Sequence, residues 1–314
     1  MIFSTGEILA DMIAKKEGGR TSYTGYAGGA PFNLACAAEK YGAKCVFYGC
    51  VGNDKFGDFL SDFAKERLDS ADIEKDNSVN TTLAFVDLDQ SGERSFSFYR
   101  KNTADYRLKI ERAEKYISEC SILHLGSLIL SEKQGRKYAD RAIDFAKKNR
   151  KLVSFDVNYR SDIFQSDKKA IEIYGKYIKR ADIVKFSSEE IDLFTRAASL
   201  EERMIEVRGN DKDKFIAVTL GKDGSAYLYG NDYRIVSSVR VTSTDTTGAG
   251  DAFFGALLSR IDQYGFNDLN HGVYFSNIVG ALTTTKKGAI DGLPDPEEIA
   301  MYYKSNNCKE VYKP

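Results

Sequence analysis

The 314-residue sequence contains no tryptophan, four prolines, two histidines and five cysteines. So few histidines, with no C-x-x-C spacing, argue against a zinc site and against histidine-based catalysis. The odd number of cysteines predicts reduced, mostly buried thiols and no disulfide framework. No apolar run approaches the ~18 residues that a membrane-spanning helix needs, and the first residues form no basic leader. These absences predict a cytoplasmic protein without a membrane partner.

An excess of either charge is also missing. Lysine and arginine total 45 against 46 for aspartate and glutamate, which gives a net charge of −1. This balance gives no electrostatic reason to expect nucleic acid or an anionic membrane as a partner. The apolar fraction of 42% is ordinary for a folded enzyme. At this length we expect one large domain with an accessory element.

From about residue 120 onward, short apolar runs alternate with amphipathic stretches. Strands are predicted at 121–125, 152–158 and 182–186, and helices at 135–149 and 167–180. This order favours a three-layer α/β sandwich around a central, mostly parallel sheet. In such sheets, ligands bind beyond the carboxyl ends of the strands.

One stretch departs from this pattern. Residues 81–100 alternate with period two on both sides of the turn-forming segment "DQSGE", which predicts a β-hairpin. Together with the polar, glycine-bearing segment 15–27, the hairpin could form a small sheet that projects from the main domain. Such an element would be a lid, a dimer surface or both.

The segment "TDTTGAGDAFFGALL" places two glycines and a carboxylate at the start of an apolar helix. Gly248 and Gly250 let a ligand approach the backbone, and the N–H groups of a helix start make an anion site. Neither G-x-x-x-x-G-K-[ST] nor G-x-G-x-x-G occurs in the chain. A carboxylate beside a bound phosphate suggests that Asp251 is a base for an attacking hydroxyl. The alternative, that Asp251 only benefits from the helix dipole, stays open at this point.

Four further segments carry polar residues where strands end or helices begin. Asn33 in "GGAPFN" could bind a polyol hydroxyl, and Arg160 in "FDVNYR" could bind an oxyanion. Glu190 in "KFSSEE" could hold Mg²⁺ through water, and Thr219 in "TLGKDGS" could contact a nucleotide phosphate. Each residue also has a purely structural interpretation, as a helix-start, surface or turn residue.

In this order and at these spacings, the segments resemble the ribokinase-like (PfkB) family of carbohydrate kinases. The resemblance extends from "GEILAD" (6–11) to "KKGAIDGLP" (286–294), and "DTTGAGD" is its most specific motif. Membership implies an ATP-dependent sugar kinase with one α/β domain over 1–314. It also implies a β lid from about 12–27 and 79–105, through which a homodimer would form.

The resemblance implies roles for individual residues. The implied catalytic groups are the base Asp251 and the anion hole of Gly248, Ala249 and Gly250. The implied sugar contacts are Asp11, Gly28, Gly29, Asn33, Arg100, Asp105, Asn158 and Arg160. The implied residues for ATP, with Mg²⁺ held through water at Glu190, are Lys185, Glu190, Thr219, Gly221, Gly224 and Asn277. A potassium ion would be held by Asp245, Thr247 and carbonyl groups near Gly288.

The chain departs from the family pattern at Ser187, at Phe32, where a smaller residue is common, and in "FDVNYR", which lacks the proline often seen as "FDPN". Ser187 stands where the N-x-x-E motif has asparagine, which puts that residue's contribution to organising magnesium and phosphate in doubt. The segments "GEILAD", "FYRKNTAD" and "FDVNYR" are most similar to fructokinases, so we expect fructose to be converted to fructose 6-phosphate. A 2-keto-3-deoxygluconate kinase is the alternative. Another PfkB sugar or nucleoside kinase, or a non-catalytic sugar sensor, is less favoured.

Overall fold

The computed structural model describes residues 1–88, 94–164 and 166–305. Within these ranges the chain forms thirteen strands: β1 (Ile2–Thr5), β2 (Leu9–Glu17), β3 (Arg20–Gly28), β4 (Cys45–Gly52), β5 (Ala71–Asp76), β6 (Leu83–Leu88), β7 (Arg94–Tyr99), β8 (Ile122–Leu125), β9 (Leu152–Asp156), β10 (Ile183–Ser187), β11 (Phe215–Thr219), β12 (Ser225–Tyr229) and β13 (Asp232–Val236). The α-helices in the same ranges are α1 (Ala30–Lys40), α2 (Lys55–Arg67), α3 (Ile110–Glu119), α4 (Lys133–Lys148), α5 (Asp167–Arg180), α6 (Ser188–Ile191), α7 (Leu200–Arg208), α8 (Ala249–Tyr264), α9 (Leu269–Thr283) and α10 (Pro296–Ser305). Short 3₁₀ turns cover Leu128–Ser131, Ser161–Ile163 and Gly221–Asp223.

Nine strands form a large sheet in the order β13-β12-β11-β10-β9-β8-β1-β4-β5. Neighbours from β11 to β5 pair in parallel, whereas β12 is antiparallel to β11 and β13 is antiparallel to β12. Helices cover both faces of this sheet. The predicted α/β fold with a mostly parallel central sheet is therefore confirmed.

The central strands are apolar on both faces because each face carries a layer of helices. Phe3 and Ile216 belong to the core shared with α3 to α7. Their neighbours Ile2 and Phe215 belong to the core shared with α1, α8 and α9. Side chains alternate across a strand, so burial on both sides requires continuous apolar runs. This requirement explains the runs that the sequence shows at the parallel strands.

Four strands form a small sheet in the order β3-β2-β6-β7. β2 pairs antiparallel with β3 and parallel with β6, and β6 pairs antiparallel with β7. The predicted hairpin over 81–100 corresponds to β6 and β7, while its turn "DQSGE" lies outside the described residues. The small sheet thus uses 9–28 and 83–99, and its role as a lid on a single domain stays a prediction.

An apolar contact holds the small sheet over the carboxyl ends of the large-sheet strands. Leu9 and Ala84 of the small sheet pack with Leu128, which follows β8, and Phe98 and Ile163 pack against this group. Leu9 begins β2 only four residues after β1 ends. The small sheet therefore stands at the edge where a parallel sheet meets its ligands.

Two expectations about absent features can be compared with the structure. Cys36, Cys45, Cys50 and Cys120 are buried and form no disulfide, and Cys308 lies outside the described residues. In the described ranges, no helix combines the length and apolar character needed to cross a membrane.

Two helical glycines offer a matched test of this packing. A Cβ at Gly255 in α8 would lie 2.6 Å from the Leu34 carbonyl oxygen and 2.7 Å from the Ala37 Cβ, both in α1. We expect Gly255→Ala to lower the free energy of unfolding by about 1–3 kcal/mol through overpacking. A Cβ at Gly175 in α5 would meet no atom within 4 Å, so Gly175→Ala should raise that free energy by about 0.5–1 kcal/mol. Urea denaturation measures both changes, and effects of the same sign would contradict this account.

Candidate active site

The loop before α8 is shaped by Gly248. This residue caps the helix with a φ of 75°, in the left-handed region. A Cβ at this position would lie 2.4 Å from the Ala289 Cβ, so only glycine fits. The helix then begins at Ala249 and carries Asp251 in its first turn. N–H groups in a first turn lack intrahelical acceptors, which makes this helix start suitable for an anion.

Two cavities meet at this helix start. The first cavity, of about 300 Å³, has a lining that includes Asp11, Gly29, Asn33, Asn158, Arg160, Lys185, Gly248 and Asp251. The second cavity, of about 390 Å³, has a lining that includes Thr219, Gly221, Gly224, Ala249 and Asn277. Thr246 and Gly250 line both cavities. The start of α8 is therefore a wall with one binding space on each side.

Asp251 is a buried carboxylate held by a neighbouring amide. Its Oδ2 accepts a hydrogen bond of 2.8 Å from Asn33 Nδ2 in the first turn of α1. Burial raises the pKa of Asp251, while the bond from Asn33 and the positive charges of Lys185 and Arg160 oppose this rise. These groups favour the ionised form, which is the form that can accept a proton.

Asn33 presents a second polar atom at the same place. Its Oδ1 is buried and has no hydrogen-bond partner among the described residues. Because Asn33 also lines the first cavity, this oxygen is available to a hydroxyl donor in that cavity. One side chain thus holds Asp251 and offers an acceptor beside it.

The two glycines before α1 serve different purposes. A Cβ at Gly28 would lie 2.1 Å from Asp11 Oδ2, so the absence of a side chain makes room for the Asp11 carboxylate. Gly29 has a φ of 115°, and a Cβ there would lie 2.4 Å from the backbone oxygen of Glu7. Asp11 and Gly29 line the first cavity. Gly28 does not line it and acts by leaving room for the Asp11 side chain.

Asn158 and Arg160 enter the first cavity from the loop after β9. Asn158 has a φ of 38°, a left-handed conformation that asparagine tolerates better than most residues. Arg160 raises the positive potential around Asp251, whose pKa it lowers. These two residues lie beyond a parallel strand, as the sequence predicts.

A buried ion pair lies under the wall between the cavities. Lys185 Nζ donates to both carboxylate oxygens of Asp156 at 2.9 and 3.0 Å. Burial alone would lower the pKa of Lys185, but Asp156 and Glu190 outweigh it and raise that pKa. A Cβ at Gly250 would lie 3.2 Å from Lys185 Nζ. Lys185 lines the first cavity and lies beside Gly250, which lines both cavities; its role on the nucleotide side stays a prediction.

The second cavity combines a polar end with apolar walls. Thr219 ends β11, and Gly221 and Gly224 have φ values of 57° and 109° in the turn that follows. Asn277 in α9 accepts a bond of 2.9 Å from Ser225 Oγ and donates one of 2.9 Å to the Val236 oxygen. The remaining lining includes the apolar side chains of Val239, Val241, Phe253 and Ala281. Such a space suits a nucleotide whose flat base lies against the apolar side chains and whose phosphates extend toward Gly250.

Comparison with known proteins agrees with this geometry. The family model described as "pfkB family carbohydrate kinase" matches residues 1–296. The chain belongs to the pfkB family of carbohydrate kinases. It is thus an ATP-dependent carbohydrate kinase, and a nucleotide-binding protein.

Fructokinases are prominent among the relatives of this carbohydrate kinase. It is 35% identical to probable fructokinase-5 of Arabidopsis thaliana, over 98% of each chain. The fructokinase of Xylella fastidiosa with bound ATP superposes with a TM-score of 0.87 at 30% identity, over 98% of each chain. The fructokinase of Vibrio cholerae O395 with fructose, ADP and calcium gives a TM-score of 0.83 at 32% identity, over 96% of this chain and 98% of that one. A double mutant of the latter enzyme contains fructose, ADP and potassium.

Arg100 and Asp105 of the carbohydrate kinase form a second buried ion pair. Arg100 Nε donates to Asp105 Oδ2 at 2.7 Å, and Thr82 and Thr103 also donate to Asp105. A further bond joins Arg100 to Ser131. Neither charged residue lines the first cavity, and the sugar contact of both stays a prediction. Through Thr82 and Ser131, the pair joins the ends of β6 and β7 to the turn that follows β8 of the large sheet.

Glu190 uses both carboxylate oxygens on backbone groups. They accept bonds of 2.7 Å from Ser187 N and 2.8 Å from Tyr159 N. Ser187 Oγ in turn accepts from Glu190 N at 3.2 Å, which completes a capping box at α6. The serine that replaces the family asparagine thus has a structural purpose. The negative charge of Glu190 contributes to the raised pKa values of both Asp156 and Lys185.

Asp245, Thr247 and Gly288 lie together, as the predicted cation site requires. Asp245 Oδ1 accepts from Thr247 N at 2.8 Å and from Thr247 Oγ1 at 2.6 Å, and Asp245 Oδ2 accepts from Gly288 N at 3.1 Å. This arrangement joins the loop before α8 to the segment after α9. It concentrates oxygen atoms beside the wall between the cavities.

Sequence reasoning missed several residues of both cavities. Phe98 and Leu128 give the first cavity an apolar side, and Arg240 brings a cation to the second. Phe98 begins the segment "FYRKNTAD", but no role was predicted for it, and Leu128 and Arg240 lie in no quoted motif. Asp156, by contrast, stands inside "FDVNYR", and its place at the end of β9 could have indicated a buried acid.

The ion pair of Lys185 and Asp156 generates a stability prediction. Lys185→Met would leave a buried carboxylate without its cation, so we expect the free energy of unfolding to fall by about 3–5 kcal/mol near pH 8. The loss should shrink near pH 5, because the orphaned Asp156 carboxyl, whose pKa burial already raises, then becomes protonated.

Urea denaturation of both proteins at the two pH values measures this change. The control is Lys176→Met, which removes a largely exposed lysine paired with Asp140 and should cost less than about 1 kcal/mol. Equal losses for the two variants would contradict a special role for the buried pair.

Proposed function

We propose that the chain is a fructokinase that transfers the γ-phosphate of ATP to the primary hydroxyl at C6 of fructose, with Asp251 as the general base. The observation that carries this proposal is the meeting of two cavities at the first turn of α8. Asp251 faces the first cavity and the glycine loop separates the two. The fructokinase relatives support the choice of fructose.

In the proposed reaction the sugar occupies the first cavity and ATP occupies the second. The hydroxyl oxygen forms a bond to the γ-phosphorus while its proton passes to Asp251. The bond from that phosphorus to the oxygen it shares with the β-phosphate breaks, and ADP leaves with the electron pair. The N–H groups of Gly248, Ala249 and Gly250 stabilise the charge on the transferred group.

The surroundings of Asp251 suit a base. Burial raises the pKa of this carboxyl, which increases its affinity for the proton of an alcohol. The bond from Asn33 and the charges of Lys185 and Arg160 restrain the rise, which favours the ionised form at neutral pH. Lys185 also lies directly below Gly250, where it would attract the transferred phosphoryl group.

The described residues are compatible with magnesium and potassium as further components. They contain no cluster of three acidic, histidine or cysteine side chains that could hold a metal alone, which suits an Mg²⁺ ion that arrives on the phosphates with its water shell. Glu190 would orient such a water, and the ion would neutralise phosphate charge. Asp245, Thr247 and carbonyls near Gly288 would hold K⁺.

The small sheet is proposed as the lid and as the dimer surface. Asp11 and Phe98 reach the first cavity from it, so its closure would exclude water that could otherwise attack ATP. Tyr23 and Tyr99 are 43% and 65% exposed and both contact Phe85 on the opposite face. These aromatic side chains would pack against the same face of a second copy.

A 2-keto-3-deoxygluconate kinase is the second candidate. Arg160 in the first cavity favours it, because an arginine can pair with the carboxylate of that substrate. We expect ATP consumption with fructose to exceed that with 2-keto-3-deoxygluconate, ribose or nucleosides by at least about tenfold in kcat/KM. A coupled ADP assay with and without potassium measures this ranking. Faster turnover of the keto acid would reverse the assignment.

Asp251→Asn tests the base. The amide cannot accept the proton, so we expect kcat to fall by about 10²–10⁴-fold. Fructose and ATP should still bind, as isothermal titration calorimetry can check. The matched control, Asp268→Asn, alters an exposed aspartate before α9 and should leave kcat within about twofold, as expected of a surface substitution. Near-normal turnover in Asp251→Asn would exclude this mechanism.

A further inference from the structure

Glu7 is a fully buried carboxyl group at the junction of the two sheets. It lies in the short connection between β1 of the large sheet and β2 of the small sheet. Its side chain is 0% exposed, and neither carboxyl oxygen has a hydrogen-bond partner among the described residues. Such a group costs free energy, and neither the proposed chemistry nor the cavity linings use it.

Two glycines create the space that this carboxyl group fills. A Cβ at Gly126 would lie 2.6 Å from Glu7 Oε2 and 2.8 Å from Pro31 Cγ. A Cβ at Gly6 would lie 2.9 Å from both Gly126 Cα and Pro31 Cγ. Gly126 directly follows β8, and Pro31 is in the first turn of α1. The niche is therefore enclosed by the elements that bound the first cavity.

Four ionisable groups from other elements interact electrostatically with Glu7. Arg100 and Asp105 follow β7, Asp251 belongs to α8, and Tyr174 belongs to α5. Arg100 is the cation of this set, and Asp105 already pairs with it at 2.6 Å. An ionised Glu7 would thus be a third carboxylate in addition to Asp105 and Asp251, and it would compete with Asp105 for the positive charge of Arg100.

These surroundings favour a Glu7 that is protonated in neutral solution. Burial raises the pKa of its carboxyl to about 8, a rise that Arg100 opposes and that the charges of Asp105 and Asp251 support. Above that pH the carboxylate would attract Arg100 away from Asp105. The ion pair of Arg100 and Asp105, which joins β6 and β7 to the large sheet, would then weaken.

We propose that Glu7 is a positioning residue for sugar binding: as a neutral acid it leaves the pair of Arg100 and Asp105 intact under the small sheet, and as a carboxylate it competes for Arg100. Sugar affinity depends on this contact because Asp11 and Phe98 enter the first cavity from the small sheet. Phosphoryl transfer uses other residues, so KM responds more than kcat. The kinetic part of this inference rests on the proposed fructokinase activity.

Glu7→Gln retains the shape of the side chain and removes its ionisation. We expect the wild-type KM for fructose to rise about fivefold or more between about pH 7 and 9.5, and that of Glu7→Gln to rise less than about twofold. The matched control is Glu39→Gln, which replaces a partly buried glutamate of α1 outside both cavities and should keep the wild-type rise. An unchanged rise in Glu7→Gln would overturn the proposal.

Thermal unfolding tests the ionisation without any activity. The pKa of Glu7 is about 8 in the folded chain against about 4.3 when unfolded, so its contribution to stability is fully present below the unfolded value and is lost as pH rises toward 8. The Tm of the wild type relative to Glu7→Gln should therefore fall between about pH 5 and 9. A pH-independent difference would contradict the proposal.

A second variant and the unfolding measurement distinguish a failure of this proposal from a failure of the proposed function. Glu7→Met, of similar length and without a titratable group, repeats both measurements if the amide prevents folding, and it should behave as Glu7→Gln does. If fructose is not phosphorylated, the proposed function fails, while the unfolding comparison still decides whether Glu7 titrates in this range. A flat wild-type KM with a pH-dependent Tm difference would reject the link to sugar binding.

Discussion

A helix start can direct its N–H groups to one place only, and in this carbohydrate kinase the start of α8 must serve two cavities. Gly248 makes the required left-handed turn, and its contact with Ala289 admits no side chain. Gly255 lets α8 approach α1 closely enough for Asn33 to reach Asp251. The apolar run after Asp251 thus packs α8 in place and fixes the position of the N–H groups at its start.

Charge around this helix start is arranged in layers. Asp251 lies in the wall, with the amide of Asn33 on one side and the cations Lys185 and Arg160 around it. Lys185 is itself held by Asp156 beneath the wall. A buried lysine without this partner could pair with Asp251 and lower the pKa of that carboxyl further. Asp156 therefore keeps Lys185 from pairing with Asp251.

The sequence predicts those features that are local. Strand and helix periodicity anticipates β8 to β10 and the helices α4 and α5 to within about two residues, because each face of these elements meets one environment. The glycine loop is equally local, since its conformation depends on a few adjacent residues. The hairpin of β6 and β7 follows from period-two alternation.

Contacts between distant segments could not be predicted in the same way. Asn33 was visible as a helix-start residue, but its bond to Asp251 depends on how α1 and α8 pack. Arg100 and Asp105 suggested a sugar contact through resemblance, yet they pair with each other under the small sheet. Glu7 stands inside "GEILAD", but that segment does not predict its burial, which depends on Gly126 and Pro31 approaching it in three dimensions.

The wall formed by Thr246 and Gly250 has a thermodynamic consequence, because both cavities share it. A ligand that shifts or orders this wall from one side changes the free energy of binding on the other. Linkage makes that effect reciprocal: if the occupant of one cavity tightens binding in the other by some factor, the second occupant must tighten the first by the same factor. Under the proposed function, two substrates of unrelated chemistry would thereby be energetically coupled through a loop of a few residues.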